Sequence, residues 1–284
     1  MVEWRYRDQL DWRIVMVGLS EDVSLFAELG FTPRRMASGA LTFRERYGMP
    51  FAGSPKFRLS PSSPACRAVI AARREWPGSE WRVFRTLQLA NFNSPLLFDD
   101  DQQMRAVLAG VPGVDADRIV DLIDDPEVWS EYEQDKRQSR TAAGSPTELQ
   151  GKAGTSEGGV RYTAPSLLFE TGDGRRLEAG GFQPVEAYDV VIANLEPTLE
   201  REAPPEDPGP LLDYFDFGLT TQEVAAIMAR GNDRPDRLAA ETALIELVAD
   251  GRAERHALGD DALWSAAGHS DTRSLAAVAS ALNV

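Results

Sequence analysis

Between residues 81 and 140 the chain stops and restarts helical periodicity several times, and that punctuation limits the possible folds more than any other feature. Phe98-Asp-Asp-Asp101 precedes Met104, Val107 and Leu108, and Val111-Pro-Gly113 ends that run. Asp115 precedes Ile119, Leu122 and Ile123, and Asp125-Pro126 precedes Val128, Trp129 and Tyr132. Acidic residues and proline suit the first turn of a helix, and apolar residues three or four apart mark one buried face. The spacing predicts short helices joined by turns, an all-helical block. Ahead of it Pro61-Ser-Ser-Pro64 opens another helix, with Ser63 as the N-cap, Pro64 in the first turn, and Cys66, Val69 and Ile70 on one face. Asp99, Asp100 and Asp101 could hold a hard cation, but carboxylates at a helix start need no metal, and they are read as a cap.

Strand signals lie on both sides of the block. Val2 to Leu10 reads as the end of a helix and Trp12 to Gly18 as a strand, while Thr32 to Gly48 reads as a helix interrupted by Gly39. Ala143 to Val160 is rich in Gly, Ser and Thr and reads as a loop. Its Gly144 to Lys152 stretch fails as a phosphate loop: six residues rather than four separate the glycines, and Ala153 stands where a hydroxyl should bind magnesium. Ala164 to Glu170 and Arg175 to Ala179 form a hairpin around Thr171-Gly-Asp-Gly174, followed by a helix carrying Val185, Tyr188, Val191, Ile192 and Leu195. These elements define an α/β domain over residues 1–195, with a helical insertion at about 60–142, and a proline- and acid-rich linker over 196–210. In the tail, 211–284, Thr220 and Glu223 form a capping box. A second helix runs from Pro235 to Asp250, and a hairpin turns at Gly259-Asp-Asp261, which is a winged-helix order.

Composition removes several function classes. A net charge of -15 opposes binding to phosphate backbones or anionic lipid, and no apolar run is long enough to span a bilayer. The tail's second helix sets Asp236, Glu241, Glu246 and Asp250 against Arg237 alone, so DNA is not its expected partner. With one cysteine, Cys66, the chain has no CxxC, no internal disulfide and no thiolate zinc site. Its two histidines, His256 and His269, lie near the C-terminus, so no Ser-His-Asp or Cys-His pair can form within residues 1–195. The start of the chain is charged and lacks a signal-peptide core, which places the protein in the cytoplasm.

Three features in this order resemble the DsbA-like branch of the thioredoxin superfamily, including FrnE-type proteins and 2-hydroxychromene-2-carboxylate isomerases. Tyr162-Thr-Ala-Pro165-Ser-Leu-Leu-Phe is similar to the family's cis-proline loop and central strand. Gly180-Gly181-Phe-Gln183-Pro184 is similar to the start of its last helix, and the mid-domain helical block completes the likeness. The resemblance implies a thioredoxin-like fold and a thiol-disulfide oxidoreductase or thiol-dependent isomerase. The family, however, opens with a strand and a CxxC at the N-terminus of its first helix, and Met1 stands about where that helix should finish. The resemblance therefore implies roughly twenty further residues ahead of Met1, enough for a strand, a turn and the missing helical turns. The alternative is a non-catalytic binding module for a peptide or low-molecular-weight thiol, with no bound cofactor or metal.

By the same resemblance Thr163, Ala164 and Pro165 are the expected ligand contacts, with a cis bond before Pro165; an ordinary trans proline at a strand start is the other reading. Cys66 is the one thiol available as a nucleophile. Its place near a helix N-terminus beside Arg67 would lower its pKa, whereas its sharing a face with Val69 and Ile70 points to packing.

Overall fold

Among the described residues every strand lies in a short antiparallel sheet, and the apolar segment with the strongest strand composition is in none of them. The computed structural model describes residues 1–156 and 159–268; His269 and the end of the tail lie outside the described residues. Val2–Tyr6 forms α1, followed by a single 3-10 turn over Arg7–Gln9. Trp12 to Gly18, expected as a strand, pairs with no other strand. Strands exist only through backbone pairing, and here side chains take the backbone groups. Asp135 accepts from the Met16 N–H at 3.0 Å, and Arg140 donates to the Val17 carbonyl at 2.7 Å.

Ser24–Glu28 (α2) and Pro33–Tyr47 (α3) follow. α3 runs through Gly39, which was expected to break it. A lone glycine costs a helix about 1 kcal/mol relative to alanine, and both ends of α3 are capped. Thr32 Oγ1 accepts from the Arg35 N–H at 3.1 Å, and Gly48 closes the helix with φ of 69°. Ser63–Glu75 (α4) has its N-cap at Ser62 rather than the expected Ser63. Ser62 and Ser20 exchange side-chain-to-backbone hydrogen bonds at 3.1 and 3.2 Å, which fixes the chain where the helix begins.

Glu80–Asn93 (α5), Asp101–Leu108 (α6), Ala116–Leu122 (α7) and Pro126–Ser139 (α8) match the punctuation of the sequence. Asp100 and Asp115 cap α6 and α7 by accepting from Gln103 and Arg118 N–H groups, while Asp99 pairs with Arg58 at 2.5 Å. Ala143 to Val160, expected to be a loop, contains Pro146–Leu149 (α9), and Ala153–Ser156 (β1) pairs with Gly159–Tyr162 (β2). Ala-Gly-Thr-Ser has no apolar alternation to read, so only the pairing itself reveals this hairpin. Leu167–Glu170 (β3) and Arg176–Ala179 (β4) form the expected hairpin, followed by Val185–Leu195 (α10).

After the linker come Gly209–Tyr214 (α11), which was not anticipated, Leu219–Thr220 (β5) and Thr221–Met228 (α12). Both bonds of the capping box are present: the Glu223 N–H donates to Thr220 Oγ1 at 3.2 Å, and the Thr220 N–H to Glu223 Oε2 at 2.8 Å. Arg237–Ala249 (α13), Ala253–Leu258 (β6) and Asp261–Ala266 (β7) complete the described chain. No helix among the described residues is long and apolar enough to cross a membrane.

The chain divides into two units that do not follow sequence order. The first gathers Met1–Val17, Glu133–Pro204 and Ala226–Pro235; the second holds Gly18–Tyr132, Pro205–Ala225 and the chain from Asp236 on. In the first, Val2, Tyr6, Val185 and Ile192 form a buried cluster against which Trp12, Leu167 and Phe169 pack. In the second, Val83, Met104, Val107, Leu108 and Ile119 are buried among α4 to α7, and the tail strands form a sheet in the order β5-β7-β6. Trp264 is buried there and donates to Thr221 Oγ1 at 2.9 Å, and Thr221 donates to Asp261, which also holds Arg237 at 3.1 Å.

In the second unit, residues 49–62 form an irregular segment tied down at Lys56, whose Nζ donates to Asn91 Oδ1 at 2.8 Å and to the Leu96 carbonyl at 2.5 Å. Burial pushes the Lys56 pKa down to about 8, against the opposing pull of Asp99. Because the folded value lies below the unfolded one, the unfolded chain binds more protons between the two, and Lys56 makes stability rise across that window. The protein is expected to gain up to ~3 kcal/mol relative to Lys56→Met between about pH 8 and pH 10.5. Urea unfolding of the two proteins across this range measures the difference, and parallel pH profiles would contradict the buried-lysine account.

Candidate functional site

The segment joining β2 to β3 in the first unit is short, exposed at its tip and pinned at both ends. Ala164 and Pro165 are exposed, Thr163 and Ser166 are half-buried, and the Ala164–Pro165 peptide is cis. Thr163 Oγ1 donates to the Lys152 carbonyl at 2.7 Å. The Ser166 hydroxyl donates to the Thr163 carbonyl and accepts from the Gly181 N–H at 2.9 Å. Ser166 thereby fastens the loop to the turn ahead of α10, another of the places whose residues carry the family resemblance.

Beneath the loop lies a node that sequence reading missed. Glu178 on β4 accepts from the Tyr162 hydroxyl at 2.6 Å through one carboxylate oxygen. Through the other it accepts from the Thr147 hydroxyl at 2.6 Å and the Thr147 N–H at 2.8 Å. Burial alone would raise the Glu178 pKa, but the bonds from Thr147 and Tyr162 outweigh it and hold the carboxyl below its ordinary range. Burial and the bond to Glu178 push the Tyr162 hydroxyl up to about 12. The carboxylate is thus ionised and the phenol neutral at pH 7, the charge state in which all three donors are satisfied. The signal that was available is the Gly180-Gly181 doublet. A Cβ at Gly180 would lie 2.1 Å from Thr147 Oγ1, so only glycine lets β4 run this close to α9.

Cys66 lies in the second unit, half-buried on α4, apart from the unit that carries Thr163, Ala164 and Pro165. Its helical neighbours Val69 and Ile70 are buried, as the packing reading expects. Arg67 does not serve the thiol. Its guanidinium donates to the Ile123 carbonyl at 2.8 Å and to Asp124 at 2.5 Å, and it lies 4.0 Å from the centre of the Trp129 ring. Near Cys66 stands the Tyr132 hydroxyl, which donates to Glu21 at 2.8 Å and is kept neutral chiefly by burial. Among the described residues no three His, Cys, Asp or Glu side chains converge as a metal site.

No protein-family model and no curated protein matches this chain. What the described residues do present is a fixed, exposed loop at the start of β3 and, in the other unit, a half-buried free cysteine whose adjacent arginine is engaged with Asp124.

Two substitutions test the node. Glu178→Ala leaves the buried Tyr162 hydroxyl without its acceptor and is expected to cost about 1–3 kcal/mol above neutral pH. The penalty fades in acid, because a group with a lowered folded pKa stabilises above its unfolded value and loses that contribution as pH falls through the folded value. Gly180→Ala forces β4 and α9 apart and should lower the melting temperature by several degrees. Adding Thr147→Ala removes the two closest colliding atoms and should recover part of the loss. Additive penalties in the double variant would contradict the close-approach account.

Proposed function

We propose that this protein is a DsbA-like, thioredoxin-fold binding module. In this reading the Thr163-Ala164-Pro165 loop and the adjoining edge of β3 take up an extended peptide, with a low-molecular-weight thiol as the smaller ligand of the same place. The observation that carries the reading is the pairing of β3. Among the described residues it pairs with β4 alone, so the backbone groups on its other edge have no strand partner. Leu168 on that strand is also exposed. An open edge beside a fixed loop is the arrangement to which an extended peptide adds as a further strand: main-chain bonds supply affinity and alternate side chains supply selectivity.

A catalytic role as a thiol-disulfide oxidoreductase or thiol-dependent isomerase has less support. Disulfide exchange by one protein uses an attacking and a resolving thiol, and these 284 residues hold one cysteine. That cysteine lies in the other unit, with its adjacent arginine engaged elsewhere. A single free thiol is compatible with the reducing conditions of the cytoplasm. For the tail, the order α11, β5, α12, α13, β6, β7 supports a winged-helix-like reading. The acidic exposed side of α13 supports contact with protein rather than DNA.

The test uses an eight-residue peptide of alternating Val and Thr with lysine ends, titrated against the isotope-labelled protein. Binding should shift the amide resonances of Ser166 to Glu170 and slow their hydrogen exchange. The same peptide N-methylated at alternate residues should not bind, because it cannot complete the ladder. Resonances of β3 that stay still with the peptide and with glutathione would reject the module. In parallel, insulin reduction should remain at background and be unchanged by Cys66→Ser; robust reduction would restore the catalytic reading.

A further inference from the structure

The geometry points to self-association of this chain, with α3 of one copy lying against α13 of another. Both helices belong to the second unit, and each presents an apolar stripe that nothing among the described residues covers. α13 is apolar on two sides. Ala240, Leu244 and Leu247 are buried on one, while on the other Leu238 is 77% exposed and Ile245 53%. At 100° per residue Leu238, Ile245 and Ala249 form one stripe, well separated from the buried side. A helix apolar all round belongs between two partners, and among the described residues only one side of α13 is covered.

α3 supplies the matching stripe. Met36 and Phe43 are 47% and 53% exposed, one turn to either side of Gly39. A Cβ at Gly39 would meet nothing within 4 Å, so the stripe has an open notch between two large side chains. Phe43 continues into an aromatic row, lying 5.7 Å from Tyr47 and 6.5 Å from Phe51 between ring centres. A large side chain such as Ile245 fits such a notch as a knob fits a hole. Helices of 15 and 13 residues are both about 20 Å long, so their stripes can meet along their lengths.

Charge selects the occupant. Arg35 and Arg46 flank the α3 stripe and have no carboxylate partner among the described residues, on a chain whose net charge is -15. Glu241, Glu246 and Asp250 of α13 have no cationic partner there either. A basic apolar helix and an acidic apolar helix on one chain complement each other between copies, and reciprocal contacts would close as a two-fold dimer. An anionic membrane is the rival for a basic apolar helix, but the charge of the whole chain repels it, and membrane binding would leave the α13 stripe bare.

Light scattering on the full chain across a dilution series decides the matter. The expected mass rises with concentration from 31.2 kDa to twice that value. Phe43→Glu sets a carboxylate against the acidic helix, and Ile245→Arg sets a cation against the basic one. Each should weaken association by about tenfold or more, while the far-ultraviolet circular dichroism of the chain stays that of the parent, which separates lost association from lost folding. Mixing the two variants should restore association, because the new charges are opposite. A mass of 31.2 kDa at every concentration, or association that survives both substitutions, would overturn the proposal. So would a chain that stays monomeric and sediments with phosphatidylserine vesicles in a Phe43-dependent way, which would give the α3 face to lipid.

Discussion

The Glu178 carboxylate joins three separate backbone segments of the first unit, and the order of the loop ahead of β3 depends on it. Tyr162 is the last residue of β2, Thr147 lies on α9, and Glu178 itself is on β4, beside the glycine pair that leads to α10. Two short hairpins and a four-residue helix could not hold a fixed arrangement by apolar burial alone, because small sheets bury too little surface. A charged acceptor with three short donors supplies direction as well as energy. The Thr163 to Ser166 loop inherits that order through Ser166, whose hydroxyl bridges the Thr163 carbonyl and the Gly181 N–H.

Elements announced by caps were legible in the sequence, and elements that depend on distant partners were not. Asp100, Asp115 and the Thr220–Glu223 box each act on a neighbour within three residues, so their helices could be read locally. The same logic accounts for α3. Thr32 and Gly48 outweigh one internal glycine, and counting Gly39 as a break gave too little to its ends. The two larger differences are both matters of pairing. Trp12 to Gly18 has strand composition but finds side chains rather than a strand, while Ala153–Ser156 has almost none and pairs with Gly159–Tyr162. For the site, the exposed loop could be placed from Tyr162-Thr-Ala-Pro165, but the carboxylate beneath it lies some fifteen residues further on, in a strand with no distinguishing pattern. The helical face that Cys66 shares with Val69 and Ile70 could be read from their spacing; the engagement of Arg67 with Asp124, 57 residues away, could not.

The two units use polar chemistry to opposite ends. In the first, polar groups converge on one carboxylate and hold a small exposed loop steady. In the second, the core is apolar and the Thr221, Asp261, Arg237 and Trp264 network steadies the tail sheet, while Arg35 and Arg46 of α3 have no carboxylate partner, and Glu241 and Glu246 of α13 no cationic one, among the described residues. In the proposed self-association, stability and recognition fall to different side chains. The outer residues of α3 and α13 can change with little effect on folding, whereas Glu178, Thr147 and Gly180 cannot.

Among the described residues β3 pairs along one edge only, and the proposed peptide site needs the other edge to stay open in the free protein. Amide hydrogen exchange of Leu167 to Glu170, read residue by residue without ligand, tests it most directly. In an antiparallel pair alternate residues point their N–H groups toward the partner. Two of the four amides should therefore be protected by β4 and the alternate two should exchange as fast as exposed turn residues. Slow exchange at all four positions would show that another segment already covers the edge, and would contradict the account.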